Sequence, residues 1–430
     1  MGIRKREEKE NCMNEKNEMT ARSGSSRVVE ECQACDGRNL ERIVFLGYMP
    51  PVNEFHLIGQ RPREQPSYPA EVLYCNDCKL VQLGLIVDAK VLFPKEYPYT
   101  SSTTKILREN FADLYRECSG IVEIGKNDLV VDIGSNDGNL LSNFQGKHRV
   151  LGITPEEIGK IAVGRGIETI FDYFGKRACE KVLKENGKAR IVTATNVFAH
   201  IDNVNQVVMD ILSILDENGV FISESHYLLP LVETMQWDTI YHEHLRYYSL
   251  HSLRNLLERH GLEVFHVKRI PTHGGSIRVY ASRKGKFKVR DSVGTVLEEE
   301  RGKLSREKLL EFGRRVTESK LELSALLDKA RKEGRIFGIS APSRASTLIN
   351  YTGINEGILE CVVEIKGSHK IGKYIPGTLI PVEEESRLYK ERPEYALMLS
   401  WHISEELIPK LREKGFKGRF IIPLPKPRII

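Results

Sequence analysis

The feature that most constrains the fold is a regular alternation of apolar strands and amphipathic helices between residues 128 and 281. Apolar segments such as LVVDIGS, RVLGIT, IETIF and ARIVTATNV alternate with helical segments such as EEIGKIAVGRG and NVNQVVMDILSIL. This order predicts a parallel sheet covered by helices, because parallel strands need long crossover connections. We also predict a helix beginning in GNLLSNF, a fifth strand in GVFISESHY, and a closing strand pair in LEVFHVKRI and SIRVYASR.

A second α/β block follows a highly charged stretch from residue 286 to about residue 333, in which apolar residues recur at helical spacing. The block contains the strand-like segments RIFGIS, ILECVVEI, YALMLS and RFIIPLP and the helical segments ASTLINYTG and EELIPKLREKG. The two blocks share no sequence period, so the chain is not a repeat protein.

Composition excludes several classes of protein. A chain of 430 residues is too long for a single core and suits two or three domains. The net charge of +5 gives no reason to expect a nucleic-acid partner, and no apolar run reaches the roughly 18 residues of a membrane span. The charged residues 1–27 lack the apolar core of a signal peptide, so we expect a disordered tail and a cytoplasmic protein.

Two Cys-x-x-Cys pairs, Cys32/Cys35 and Cys75/Cys78, lie about 40 residues apart. Between them, alternating strands and Pro/Gly turns are expected in RIVFLGYMPPVNEF and YPAEVLY. Such pairs can present four thiolates tetrahedrally, as a structural zinc ion requires. The alternative is four free thiols, but a small segment gains folding free energy from a metal. We therefore predict that these cysteines bind Zn²⁺.

A strand-borne acid is followed by a glycine-bearing turn in VVDIGSNDGN. The dinucleotide fingerprint is absent, because Asn136 occupies the position of its second glycine. The turn instead matches the pattern of S-adenosylmethionine-binding methyltransferases. The backbone at Gly134, Asn136 and Gly138 is expected to approach that cofactor, and Asp132 and Asp137 could hold its ammonium group.

A second cofactor contact is expected at the end of the next strand, where an acid commonly binds the ribose hydroxyls. Here Thr154 occupies that position. Either Glu156 or Glu157 reaches the ribose, with Glu156 our choice, or a neutral hydroxyl holds it. Asn196, after the fourth strand, begins a loop that is expected to face the cofactor.

The densest cluster of polar side chains is DTIYHEHLRYYSLHSL, after the fifth strand, at the sheet edge where α/β folds bind ligands. Histidine titrates near neutrality and tyrosine can donate to an oxyanion, so Tyr241, His242, Glu243 and His244 predict an acid/base site. Two alternatives remain open: a metal held by the two histidines, and a solvated turn.

In combination these motifs resemble the three-domain sugar C-methyltransferases that act on nucleotide-linked 4-keto-deoxysugars. The resemblance extends from Cys32 to Pro425. It rests on the cysteine pairs and on eight further segments in a fixed order, namely PPVNEF, YPYTSS, DIGSNDG, NVFAHI, IYHEHLRYYS, HGGSIRVY, APSRASTLINY and HKIGKYIPGTLIPV.

The resemblance implies a zinc-binding domain (28–100), a central Rossmann-like class I methyltransferase domain (101–285), and a helical connector with a C-terminal Rossmann-like α/β domain that helps hold the nucleotide-sugar (286–430). It implies that His244 is the base and that Tyr241 and Tyr99, with Tyr97 as the alternative to the latter, polarise the keto group. It also implies that Glu243 binds a sugar hydroxyl. His242 receives no role, and the chain is expected to be a monomer or a homodimer.

The chain departs from the family pattern in its C-terminal domain. Its loop reads Ser340-Ala341-Pro342-Ser343-Arg344-Ala345 where the family has a glycine- and lysine-bearing sequence of the GAPAKG type, and Glu364 replaces a common aspartate. These departures concern the nucleotide or the acceptor rather than the catalytic run. Two other functions fit the sequence: an O- or N-methyltransferase acting on a related glycan precursor, and a binding module without catalysis.

Overall fold

The computed structural model describes residues 26–60, 65–93 and 105–430. The expected tail lies outside these residues as far as residue 25, and Arg27 already belongs to the first strand. Within the described ranges, no helix is both long and apolar enough to span a membrane.

The N-terminal unit is a small antiparallel β structure. Its elements are β1 (Arg27–Val28), β2 (Leu40–Met49), β3 (His56–Leu57), β4 (Tyr68–Cys75), β5 (Val81–Leu83), β6 (Leu85–Ile86) and α1 (Ala89–Leu92). β2, β4 and β5 pair in sequence as an antiparallel meander. The first cysteine pair precedes β2, whereas Cys75 ends β4 and Cys78 lies in the turn before β5, so pairing of these strands brings the cysteines together.

The central unit alternates strands and helices as predicted. Its elements are α2 (Lys105–Ile121), β7 (Leu129–Ile133), β8 (Arg149–Ile153), α3 (Gly159–Gly164), β9 (Glu168–Ile170), α4 (Lys176–Glu185), β10 (Ala189–Thr195), α5 (Val204–Ile214), β11 (Leu215–His226), α6 (Leu228–Glu233), β12 (Arg246–Tyr247), α7 (Leu250–Arg259), β13 (Leu262–Ile270) and β14 (Ser276–Arg283).

The seven-stranded central sheet has the order β13-β14-β11-β10-β7-β8-β9. β7 to β11 run parallel, whereas β14 is antiparallel to both of its neighbours. The sheet order changes direction at β7, so the carboxyl ends of β7 and β10 border a crevice that is suited to a ligand.

One predicted element is wrong in kind. The segment GNLLSNF forms only a short 3₁₀ helix, Leu141–Asn143, instead of opening an α-helix. The side chains of Ser142 and Asn143 bond to the carbonyl of Asn139, at 2.7 and 3.1 Å, and such local bonds compete with helical hydrogen bonds.

The C-terminal unit begins with two helices where a helical connector was predicted. Its elements are α8 (Asp291–Lys303), α9 (Arg306–Glu333), β15 (Ile336–Ile339), α10 (Ser343–Thr352), β16 (Cys361–Glu364), β17 (Lys373–Tyr374), β18 (Val382–Glu384), α11 (Ser386–Glu391), β19 (Tyr395–Met398), α12 (Ser404–Glu413), β20 (Arg419–Ile422) and β21 (Arg428–Ile429). The six-stranded sheet has the order β18-β16-β15-β19-β20-β21 and is parallel except for β21.

The three units interlock. β12, from the predicted catalytic run, pairs with β5 of the N-terminal sheet, and β17 of the C-terminal unit pairs with β3. Helix α9 packs against β2 so closely that a Cβ at Gly313 would lie 2.1 Å from the carbonyl oxygen of Ile43. The N-terminal unit therefore contacts both α/β units and lies against the segment that carries Tyr241–His244.

Candidate active site

One ring nitrogen of His244 is fixed by a hydrogen bond to the backbone. Its Nδ1 lies 2.9 Å from the carbonyl oxygen of Thr239. A carbonyl can only accept, so Nδ1 carries the hydrogen and Nε2 presents a lone pair. Burial, together with the neighbouring His200 and His226, holds the pKa of His244 well below its usual value. The imidazole is therefore neutral near pH 7, in the state that a general base needs.

Aromatic side chains surround this imidazole. The ring of Tyr241 lies 4.1 Å from it between centroids, and those of His200, Tyr247 and His226 lie 5.0, 6.3 and 6.4 Å away. Burial and the nearby Glu243 raise the pKa of Tyr241 well above its usual value. The phenol is therefore protonated and can donate a hydrogen bond to a developing oxyanion.

Glu243 lies where the three units meet. Its Oε1 accepts a hydrogen bond of 2.7 Å from the Nδ2 of Asn53, in the N-terminal unit. Asn53 in turn accepts from the hydroxyl of Ser343, at the start of α10. Lys370 donates to the carbonyl of Ala341 at 2.6 Å, and its electrostatic partners are Glu364 and Glu243. This junction is polar, with Glu243 buried and Asn53, Ser343 and Lys370 half-buried, and its groups can form hydrogen bonds with hydroxyls.

His242 faces away from this junction. Its Nε2 lies 3.1 Å from the carbonyl oxygen of Pro69, and its ring packs edge-on against Tyr68 at 5.7 Å. Among the described residues, the only group of histidine, cysteine or acidic side chains with metal-binding distances is the cysteine cluster. The geometry therefore gives no support to a metal held by His242 and His244, and the burial of His242 is inconsistent with a solvated turn.

The glycine turn after β7 is tightly built. Gly134, Asn136 and Gly138 have φ values of 71°, 50° and 77°. A Cβ at Gly134 would lie 2.4 Å from Val197, and one at Gly138 would lie 2.8 Å from Ala162. These positions have a left-handed backbone, and the side chains of Val197 and Ala162 leave no room for a Cβ at the two glycines, so only glycine fits at positions 134 and 138.

The acids of this turn are buried. Asp132 accepts a 2.6 Å hydrogen bond from the hydroxyl of Thr193, and burial raises its pKa to about 7 despite that bond. The Asp137 carboxylate is fully buried, with Arg165 at 3.7 Å. Both acids belong to the loop and strand end that border the crevice.

The three candidate ribose-binding residues after β8 differ in their surroundings. Thr154 is buried, and Glu157 is exposed and paired with Lys160. Glu156 is half-buried beside the glycine turn, where its Oε2 lies 3.4 Å from the Nδ2 of Asn136. Of the two glutamates, Glu156 is therefore the one that faces the glycine turn.

The loop of residues 196–200 joins the glycine turn to the catalytic run. Asn196 begins it with a φ of 56°, and its N–H donates to the carbonyl of Glu224 at 2.7 Å. Val197 packs on Gly134, and the ring of His200 lies edge-on to His244. The predicted cofactor residues and the predicted base therefore border one site. Tyr99 and Tyr97 lie outside the described residues.

The four cysteines converge as predicted. The Sγ atoms of Cys32 and Cys78 are 3.4 Å apart, those of Cys35 and Cys75 are 3.5 Å apart, and all four lie within 4.8 Å of one another. Zinc–thiolate bonds of about 2.3 Å in a tetrahedron place sulfur atoms roughly 3.8 Å apart, so this spacing fits zinc.

Comparisons with known proteins agree with this geometry. Three family models match the chain: a zinc binding domain over residues 32–93, a methyltransferase domain over residues 104–267, and a C-methyltransferase C-terminal domain over residues 271–425. The C-methyltransferase NovU of Streptomyces niveus is 32% identical over 415 residues, which cover 94% of this chain and 97% of NovU. This chain belongs to the C-methyltransferase family.

The family resemblance, the α/β fold class and the enzyme class predicted from the sequence are thereby confirmed. This C-methyltransferase uses S-adenosylmethionine as methyl donor and carries an N-terminal zinc-binding domain.

Solved methyltransferase structures are similar to part of this chain. Magnesium protoporphyrin IX methyltransferase from Synechocystis PCC 6803, with bound S-adenosylmethionine, is 14% identical and covers 41% of this chain and 79% of its own, with a TM-score of 0.32. A S-adenosylmethionine-dependent methyltransferase from Clostridium acetobutylicum is 13% identical and covers 41% of this chain and 92% of its own, with a TM-score of 0.33.

Several side chains at this site carry no sequence signal of their own. Asn53 lies within PPVNEF and Asp238 begins DTIYHEHLRYYSLHSL, but only the fold brings Asn53 to Glu243 and Asp238 to Arg344. His226 ends β11 and could have been suspected from its position at a strand end. Arg344 was visible only as a departure from the family loop.

Proposed function

We propose that this C-methyltransferase moves a methyl group from S-adenosylmethionine to a carbon α to the ketone of a nucleotide-linked keto-sugar, through an enolate. The observation that carries the proposal is the state of His244, a neutral imidazole whose Nδ1–H is held by Thr239 and whose Nε2 is the basic nitrogen. A C–H carbon becomes a nucleophile only when a base removes its proton and an adjacent carbonyl takes the charge.

In the proposed reaction, Nε2 of His244 takes the proton from the α-carbon. The electron pair of the broken C–H bond moves into a carbon–carbon double bond, and the ketone oxygen becomes an oxyanion. Tyr241 donates to that oxygen, together with Tyr99. As the oxyanion re-forms the ketone, the electron pair of the carbon–carbon double bond forms the new bond from the α-carbon to the methyl group, and the electrons of the old sulfur–methyl bond stay on sulfur. S-adenosylmethionine supplies this electrophilic methyl group. The proton on Nε2 of His244 then leaves to solvent.

The positions of the side chains support the following substrate and cofactor contacts. Glu243, fixed by Asn53, is suited to accept from a sugar hydroxyl. The cofactor would lie along the backbone of Gly134, Asn136 and Gly138. We assign its ammonium to the buried acids Asp132 and Asp137, its ribose to Glu156, and an edge of the site to Asn196.

The metal ligands in the proposal are Cys32, Cys35, Cys75 and Cys78. Such a zinc ion would be structural, because four thiolates fill a tetrahedral site and leave no position for water or substrate.

The test is exchange of the α-proton with solvent deuterium, followed by mass spectrometry or NMR, over a panel of nucleotide-linked keto-sugars without S-adenosylmethionine. We expect wild-type enzyme to exchange the α-proton of its substrate. His244→Ala and Tyr241→Phe should each lower both exchange and methyl transfer by about 100-fold or more. Methyl transfer without any α-exchange would contradict the enolate route and favour an O- or N-methyltransferase.

A further inference from the structure

The five residues 236–240 form a turn directly before Tyr241, which we call the base turn. It includes the 3₁₀ segment Trp237–Thr239. The carbonyl of Thr239 accepts the Nδ1–H of His244, so the position of this turn sets which imidazole nitrogen carries the proton and where the other points.

The base turn is held by the C-terminal unit through Asp238, whose side chain is fully buried. Arg344 binds that carboxylate with two hydrogen bonds, Nε to Oδ2 at 2.9 Å and Nη2 to Oδ1 at 2.7 Å. The Nε1 of Trp401 donates to Oδ2 at 2.7 Å, and the guanidinium lies 4.9 Å from the centroid of that indole ring. These hydrogen bonds to the buried carboxylate thus come from two residues of the C-terminal unit.

Further contacts from the same unit reach the base turn. Trp237 donates to the hydroxyl of Ser319 at 3.2 Å and packs edge-on against Tyr351 at 5.1 Å. Thr347 donates to the carbonyl of Ile240 at 3.3 Å. Helices α9 and α10 and the loop after β19 therefore surround the turn that orients His244.

We infer that Arg344 is a positioning residue for the base: by gripping Asp238 it holds the Thr239 carbonyl against His244 Nδ1 and keeps Nε2 directed into the site. This inference rests on the proposed role of His244. A planar guanidinium can bind both carboxylate oxygens at once, whereas an ammonium acts as a point charge. The arginine in this loop, where the family pattern has lysine, thus gives the base turn a two-point anchor.

The chain offers a matched control at the opposite end of the same strand. Arg335 precedes β15 and Arg344 follows it. Arg335 also binds a carboxylate with two hydrogen bonds, each of 2.7 Å, but its partner is Glu360 within the C-terminal unit. Arg335→Lys therefore removes the same kind of two-point arginine–carboxylate contact without altering any contact to the base turn.

The experiment compares Arg344→Lys, Asp238→Asn and Arg335→Lys in the full-length, zinc-loaded enzyme. The first readout is the ¹⁵N NMR signature of the His244 ring, assigned with His244→Gln. The second is α-deuterium exchange. We expect Arg344→Lys to mix the two neutral tautomers of His244 and to slow exchange about tenfold, with the affinity for S-adenosylmethionine unchanged. Arg335→Lys should match wild type in all three measurements.

If Asp238→Asn does not fold, Trp401→Phe, which removes one hydrogen bond to Asp238, takes its place with a smaller effect of the same kind. A His244 tautomer and an exchange rate that stay unchanged in Arg344→Lys overturn the inference. A tautomer that changes in an enzyme that shows no α-exchange with any keto-sugar supports the positioning role and contradicts the enolate proposal, so the two failures are distinguishable.

Discussion

The turns after the first strands of the two α/β units share a backbone conformation but carry different side chains. In each, the residue after the first strand has a positive φ, 71° at Gly134 and 68° at Ser340. In each, its N–H donates to a carbonyl near the end of the neighbouring strand, at 2.8 Å to Ile153 and 2.9 Å to Val363. The backbone of the two turns is therefore built alike, although their sequences, GSNDG and SAPSR, differ.

The difference lies in what each turn faces. The central turn lies beside the buried acids Asp132 and Asp137, to which we assign the ammonium group of the cofactor. In the C-terminal turn, Glu364 accepts from the N–H of Ala341 at 2.7 Å, and Arg344 extends to Asp238 of the central unit. We propose that the first turn binds the cofactor, whereas the second binds its own chain. Shared architecture therefore does not imply shared function, which depends on the side chains at the turn.

The strongest test of this contrast places alanine at the same position of each turn, in Gly134→Ala and Ser340→Ala. Gly134→Ala combines a left-handed backbone with a Cβ 2.4 Å from Val197. We expect a cost on the order of 2 kcal/mol and a fall of about 30-fold in affinity for S-adenosylmethionine, measured by calorimetry. Ser340→Ala should leave that affinity within about twofold of wild type. Equal effects at the two positions would contradict the division of roles.

A second test concerns the acids at the end of the second strand in each unit. Glu156→Gln should weaken S-adenosylmethionine binding about tenfold, because hydrogen bonds to a charged acceptor are worth roughly 1.5–3 kcal/mol. Glu364→Gln should not change cofactor affinity, because that carboxylate caps its own turn. Calorimetry on both variants measures the affinity for S-adenosylmethionine. A loss of affinity in Glu364→Gln alone would contradict the assignment of Glu156 to the cofactor.

A third test uses proton linkage at Asp132. Burial raises the pKa of this carboxyl to about 7, so it is partly protonated near neutrality in the free enzyme. A bound ammonium favours the ionised form, so affinity for S-adenosylmethionine should rise as pH rises through about 7 and then level off. Calorimetry at pH 7 in buffers of different ionisation enthalpy should detect release of about half a proton. Asp132→Asn should abolish this release, and an undiminished release would exclude Asp132 as its source.

The smallest expected effect concerns the stability of the C-terminal turn. Ser340 has a positive φ, which is strained for any residue except glycine. Ser340→Gly should therefore stabilise the enzyme by up to about 1 kcal/mol, seen as a raised unfolding midpoint in denaturant. A destabilised Ser340→Gly enzyme would mean that the serine side chain contributes more than the backbone strain costs.

Much of this fold was predictable because strand and helix periodicity are local properties of the chain. The alternation from Leu129 to Arg283, the closing strand pair and the cysteine pairs all carry short-range signals. The segment Leu141–Asn143 was mispredicted because side-chain bonds to the backbone compete with helix formation there. The helix Lys176–Glu185 was not among the predicted elements.

Within the candidate site, the sequence by itself determined the kinds of groups present: the thiols, the glycine turn, and the tyrosine, glutamate and histidines of one run. Tertiary structure decided which of them meet. It turned His242 to Pro69 and His244 to Thr239, set Glu156 rather than Glu157 beside Asn136, and brought Asn53 to Glu243. The reason is that residue types and their spacing fix chemistry along the chain, whereas contacts across 190 residues, such as that of Asn53 with Glu243, exist only when separate units pack together.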